Sequence, residues 1–301
     1  MPRLTLPLLL ATGFYAAPGA ADFSHRSDLS VRLDGGSDRS LRGQYRLRLR
    51  PALSFGDAWS LHGFVATGRE FKSAYDTIDD DVVVHVRRLF ARLERDGGKL
   101  EVGVVPPYKG RVSSTGLSKE GWLRGARIVR ALPSGALEFV VGDLSDLRAK
   151  TALSSPFDVD YYEVEYSGRL GGTWSFEIGG ESMFGDRFVR GELRYRSRRE
   201  VDWAAELVRN LSVDSSKVVF SASKRFSGPA SGVEWFSYYT YTGSEFGLRA
   251  ELSEDFLDVG HAVATKLKGG FTNAARLTWF AELEVFERRS RAKIGLELAL
   301  H

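Results

Sequence analysis

Ser40 to Glu70 reads SLRGQYRLRLRPALSFGDAWSLHGFVATGRE. In its first half Leu41, Gly43, Tyr45, Leu47 and Leu49 fall on one side of an extended chain. Arg42, Gln44, Arg46, Arg48 and Arg50 fall on the other. Side chains alternate across a strand, so this is a strand with an apolar face and a guanidinium face. After a tight turn at Phe55-Gly56-Asp57, Trp59, Leu61, Gly63 and Val65 alternate more weakly with Ser60, His62 and Ala66, and Phe64 breaks the pattern. Each arm has about 10 residues or more, where soluble strands average five or six. A strand that crosses a bilayer needs roughly 9–11. Repeated around a closed wall, the pattern puts leucines against lipid and arginines in a water-filled lumen.

The rest of the chain repeats the unit. Leu29 to Leu33 is a short candidate strand that ends in the turn Asp34 to Asp38. Further candidates run from Val82 to Arg95, Lys99 to Val105, Trp122 to Leu132, Ala136 to Asp143, Val159 to Leu170 and Thr173 to Met183. They continue with Arg187 to Ser197, Val201 to Leu211, Lys217 to Phe226, Val233 to Tyr241, Phe246 to Leu252, Val259 to Leu267, Ala275 to Phe286 and Ala292 to Leu300. Turn signals separate them, three connections are long, and no stretch of helical period or interdomain linker interrupts the series. The fold expected is all-β: a transmembrane antiparallel β-barrel spanning residues 22–301. Sixteen or seventeen candidates are present. Bacterial barrels have even strand numbers, so the expectation is 16, with 14 and 18 as the neighbouring solutions. Alternating long and short connections set the direction, with Leu41–Arg50 running back toward the periplasm.

The 301 residues are 43% hydrophobic, contain no Cys and carry a formal charge of only +3. The basic residues are spread in alternation rather than gathered on one face, which argues against a nucleic-acid partner. Lack of Cys removes disulfides and thiolate metal sites. At the start, Arg3 precedes an apolar run from Leu4 to Ala17, and small residues follow up to Ala21. This is the pattern of a secretory signal over residues 1–21, with Asp22 as the first mature residue. Export without a helical anchor directs a barrel to the outer membrane.

Three segments carry a resemblance. Arg46 to Glu70 is similar to the opening hairpin of outer-membrane porins of Gram-negative bacteria. Val86-Arg87-Arg88-Leu89-Phe90-Ala91-Arg92-Leu93 with Gly98 to Gly103 resembles the strand–turn–strand that precedes their inward-folded loop. Trp122-Leu123-Arg124-Gly125-Ala126-Arg127 resembles the segment where the barrel resumes. The likeness covers about residues 40–143 and is architectural beyond them. One departure is the end, Leu298-Ala299-Leu300-His301, where many such barrels close on Phe or Trp. The resemblance implies a non-enzymatic channel for passive diffusion of small hydrophilic solutes. Its partners would be outer-membrane lipid and the barrel-assembly machinery, and it leaves monomer and homotrimer open.

The expected pore lining is Arg42, Arg46, Arg48 and Arg50 on one strand with Arg190, Arg194, Arg196 and Arg198 on another, offset by Glu163, Glu165, Glu177 and Glu181. Rows of basic side chains attract anions, so mild anion preference is expected. Opposed acidic rows would either cross the pore with a transverse field or simply pair with the arginines and stiffen the wall. Pro106 to Glu120, PPYKGRVSSTGLSKE, stands where porins fold a loop inward, and Lys109, Arg111 and Lys119 would then lie at a constriction. The rival readings are a barrel hydrolase and a polysaccharide-export barrel. A hydrolase needs a nucleophile and His at the rim. Of five His, only His85, near Asp79–Asp81, invites that role, and a solvated rim histidine explains it as well. No catalytic, metal or cofactor residues are assigned.

Overall fold

The computed structural model describes residues 21–78, 81–107, 116–154, 157–198, 200–226, 232–271 and 274–300. The 1–21 signal segment thus lies, but for Ala21, outside the described residues. Sixteen strands form one closed antiparallel barrel. They are β1 (Asp22–Gly36), β2 (Arg39–Phe55), β3 (Trp59–Ala66), β4 (His85–Arg95), β5 (Gly98–Val105), β6 (Leu123–Leu132), β7 (Gly135–Asp143) and β8 (Tyr161–Leu170). The second half comprises β9 (Trp174–Met183), β10 (Asp186–Arg196), β11 (Val201–Asn210), β12 (Ser215–Arg225), β13 (Glu234–Thr242), β14 (Gly260–Phe271), β15 (Ala274–Phe286) and β16 (Ser290–Ala299). Each strand pairs with its neighbours in sequence, and β1 also pairs with β16, Leu33 opposite Ile294. Closure leaves no unpaired sheet edge, which a bilayer would not tolerate. Asp76–Thr77 adds a two-residue pairing to β2.

Tight turns arise where the backbone enters the left-handed region. Asp96 and Gly97 (φ 50° and 70°) link β4 to β5, and Phe184 and Gly185 (φ 53° and 86°) link β9 to β10. Two positive-φ residues in succession match the twist of a hairpin. The connections sort by rim. The start of β1, the end of β16 and mostly short turns share one rim. Connections 67–84, 106–122, 144–160 and 243–259 share the other, called the loop rim below.

Two differences from the sequence reading have clear causes. The first strand is longer than Leu29 to Leu33, because polar residues from Asp22 onward still pair with β2, as Asp22 does with Ser54. Phe246 to Leu252 is not a strand. Its apolar residues alternate, but Gly247 at φ 80° breaks the chain and a short helical turn, α1 (Leu248–Glu251), follows. Phe246, Ala250 and Leu252 are buried in a cluster with Trp122, Leu117 and Phe188.

The outward face of the wall is apolar. Val102, Ile128, Val164, Ile178, Leu207 and Leu283 are all about half exposed on strand centres. Exposed apolar surface costs about 25 cal/mol per Å² in water, which a lipid surround removes. Trp59, Trp174, Trp203 and Trp235 stand near the ends of their strands at the short-turn rim, and Trp174 packs on Tyr195. That is an aromatic girdle at one membrane interface. The inward face is charged, and toward the loop rim the four long connections fold in over it. Phe71, Leu117, Trp122, Leu144, Ala149, Phe246 and Leu252 from these connections form one apolar cluster with Phe90, Val140, Met183, Phe188 and Val208 of the wall.

Candidate functional site

The candidate site is the lumen. Register fixes its lining, because Ser30, Asp28 and Arg26 of β1 oppose Arg46, Arg48 and Arg50 of β2, and the intervening Val31, Leu29 and Ser27 oppose Tyr45, Leu47 and Leu49. Arg46, Arg48 and Arg50 point inward. They do not stand free. Arg48 donates to Asp28 (2.7 Å) and to Glu120 (2.8 Å), and Arg46 donates to Glu297 of β16 (2.6 Å). Arg50 reaches Asp28 at 3.1 Å. Tyr75, from the connection after β3, bonds Ser30 through its hydroxyl and lies under the guanidinium groups of Arg32 and Arg46. Arg42 stands opposite Asp34 toward the loop rim and is exposed.

Across the lumen Arg190 is buried among Glu163 (3.2 Å), Glu165 and Glu177 (2.9 Å). Glu181 binds Arg249 of α1 and the hydroxyl of Tyr161 (3.3 Å). Arg194 pairs with Glu192 at 3.0 Å. Arg196 pairs with Asp202 at 2.7 Å close to the short-turn rim, and Arg198 stands in the turn beyond the last residue of β10. Glu177, Glu192 and Glu206 occupy directly opposed positions on three adjacent strands. Like charges so placed repel, and Arg190 and Arg194, interleaved with them, compensate. On the same side Arg127 links Glu101 (2.9 Å) and Glu138 (3.1 Å), and Arg92 meets Glu101 at 2.7 Å.

The third group comprises residues the sequence reading passed over. Lys266 and Lys268 alternate on β14, facing Glu282 (3.8 Å) and Glu297 (3.4 Å). Their signal was present in Ala264-Thr265-Lys266-Leu267-Lys268, which alternates like the arginine strand. Asp28, Glu120 and Glu297 had no signal, since each gains meaning only from the arginines that closure brings to it.

In five lumenal pairs the cation is the more exposed partner, whereas Glu297 is more exposed than Arg46 and Arg48, and Glu282 more than Lys293. The side chains of Lys266 and Lys268 are 45% and 41% exposed, whereas their partners Glu282 and Glu297 are 16% and 22%. Arg194 is 36% exposed and Glu192 0%. Arg92 with Glu101 and Arg50 with Asp28 follow the same order. The cause is length: from a shared wall, Lys and Arg carry their charge farther on an apolar stem than Glu or Asp.

The connection after β5 turns inward. Among its described residues, Glu120 reaches Arg48 on β2, and Arg87 of β4 donates to the Glu120 carbonyl at 3.1 Å. Burial works against ionisation of Glu120, but Arg48 and Arg46 outweigh it and hold the carboxyl below its ordinary range. Lys119 lies beside Glu254, its amide donating to that carboxylate at 3.0 Å. Lys109 and Arg111 lie outside the described residues. So do Asp79 and Asp80, and among the described residues no cluster of His, Asp and Glu could hold a metal ion. His85 opens β4.

These features define a class: a closed 16-stranded barrel with a lipid-facing apolar wall, a charged lumen and a connection folded inward after the fifth strand. No protein-family model and no curated protein matches the sequence. Solved structures do match. A triple mutant of the porin of Rhodopseudomonas blastica superposes with a TM-score of 0.64 at 10% identity, over 93% of this chain and 100% of that one. A mutant of the same porin with five substitutions gives 0.64 at 11% identity with the same coverage, and a double mutant gives 0.64 at 10%, again with the same coverage. At such identity the likeness is one of fold, and the barrel has the porin architecture.

Proposed function

We propose that the protein is an outer-membrane porin, a water-filled channel for passive diffusion of small hydrophilic solutes with mild preference for anions. The observation that carries the preference is the exposure difference. Carboxylates nearly balance the charge of the wall, but the most exposed groups of the lumenal pairs named above are basic, Lys266 and Lys268 among them. Basic rings at the surface of a pore favour anions. The basic wall of β14, β16 and β2 stands across the lumen from the glutamates of β8 to β11, which supports a field across the passage. Residues 1–21 act on this reading as an export signal, outer-membrane lipid surrounds the wall, and the barrel-assembly machinery inserts it. Neither a hydrolase nor an export role draws support from any grouping of side chains described above. The reversal potential of the purified protein across a KCl gradient tests the preference. A value on the chloride side at low salt is expected, and a value on the potassium side would overturn it. Intact mass should correspond to a chain that begins at Asp22.

A further inference from the structure

The connection after β13 enters the lumen as well. We propose that residues 116–120 and 249–256 form one strap across the lumen, pinned to opposite walls, and that Lys217 positions its far end and so helps set the width of the passage. The width claim rests on the channel reading; the strap itself rests on geometry. β13 stands eight places from β5 in a ring of sixteen, so the two connections start from opposite walls. They meet edge to edge. Leu117 and Ser253 form an antiparallel bridge, the Ser118 amide donates to the Leu252 carbonyl at 2.9 Å, and the Glu254 amide donates to the Gly116 carbonyl at 3.0 Å.

Each end has its own anchor. Near β4 and β2, Arg87 and Arg48 hold Glu120 as described. At the far end the Lys217 ammonium on β12 donates to Ser253 Oγ at 2.5 Å and to Asp255 Oδ1 at 2.6 Å. All three side chains are buried. Arg249 joins the same segment to Glu181 of β9. A lateral strut completes the joint: Lys72 donates to the Phe256 carbonyl at 2.8 Å, and Ser118 Oγ donates to the Lys72 carbonyl at 3.2 Å. One face of the strap is apolar, with Leu117, Ala250 and Leu252 in the loop cluster.

Removing one member of a buried ion pair leaves the other charged without a partner, which is strongly unfavourable. The barrel wall is held by its own ladder of backbone bonds, but 249–256 is a connection with a route to water at the loop rim. Loss of the Lys217 charge is therefore relieved by release of the strap rather than by unfolding of the wall.

The chain has no cysteine, so a paired Gly116→Cys and Glu254→Cys variant, one register step from the Leu117–Ser253 bridge and outside the Lys217 anchor, gives a clean cross-link. Antiparallel bridge partners have Cα atoms about 4.5–5.5 Å apart, within reach of a disulfide. The disulfide should form on mild oxidation of the folded barrel, without changing single-channel conductance. Lys217→Met should raise conductance about twofold or more, since flow follows the open cross-section. Lys217→Arg should keep the wild-type value, and the cross-link should restore it in Lys217→Met. Failure of the disulfide to form, a conductance that falls on oxidation, or a folded Lys217→Met barrel of wild-type conductance would overturn the proposal. Absence of channels in the wild type would sink the porin reading instead, while cross-linking would still report on the strap.

Discussion

Reversing the two exposed lysines on the inner wall of β14, Lys266→Glu with Lys268→Glu, should turn anion preference into cation preference. The wall should survive the change, because Glu282 keeps Lys293 (3.2 Å) and Glu297 keeps Arg46 (2.6 Å). The two lysines are two residues apart on β14, so an ion passing at a comparable distance lies about 7 Å from each. A unit charge at that distance is worth about 0.6 kcal/mol in water. Screening at 0.1 M, with a Debye length of about 10 Å, lowers this to about 0.3 kcal/mol. Two reversals change the local charge by about four units, or about 1.2 kcal/mol, roughly an eightfold change in the occupancy of either ion. At 1 M the Debye length is about 3 Å and the same sum gives only about 1.5-fold. Reversal potentials at both ionic strengths measure the effect. A folded, conducting variant with an unshifted potential at 0.1 M would refute the reasoning, because these lysines would then not face the ion path.

Three further outcomes are expected. Leu207→Arg, on the outward face of β11, should weaken insertion by about 2–4 kcal/mol near the midplane, whereas Lys266→Met should insert normally; urea titration of the heat-modifiable folded band compares them. Arg190→Met leaves Glu163, Glu165 and Glu177 without their shared cation and should destabilise the barrel by about 3–5 kcal/mol in the same assay; a loss under about 1 kcal/mol would mean that those carboxylates are held by other groups. The folded-state pKa of Glu120 lies below its unfolded value, so its bond to Arg48 contributes fully above about pH 4.5 and is lost as pH falls through the lower folded value. Anion preference in the wild type should accordingly rise once pH falls below the ordinary glutamate range, while Glu120→Gln should show the raised value already at pH 7 and change little from that cause.

Facing was legible in the sequence because alternation is a local property. That Arg46 and Leu47 lie on opposite faces follows from the period of two alone, and Ser40 to Glu70 displays it over two strands. Strand number was legible, since an even count gave 16 and 16 are present. The surplus candidate, Phe246 to Leu252, alternates as a strand does, and Gly247 at φ 80° with burial under the apolar cluster separates it from one. The partners of the arginines were not legible, since Glu297, Asp28 and Glu120 reach Arg46 and Arg48 from three separate parts of the chain. Arg190 and its glutamates appeared as opposed rows, but Arg249, which pairs with Glu181 beside them, comes from the distant 243–259 connection. The strap was hidden for the same reason: Leu117 and Ser253 are neighbours only because β5 and β13 face each other across the closed ring.

The most direct test of the account is the conductance of the refolded wild-type protein in planar lipid bilayers. Stepwise, long-lived channels with conductance proportional to salt concentration at high salt are predicted. A protein that folds to the heat-modifiable form, inserts, and yields no steady channels would contradict the assignment of the lumen as a water-filled path.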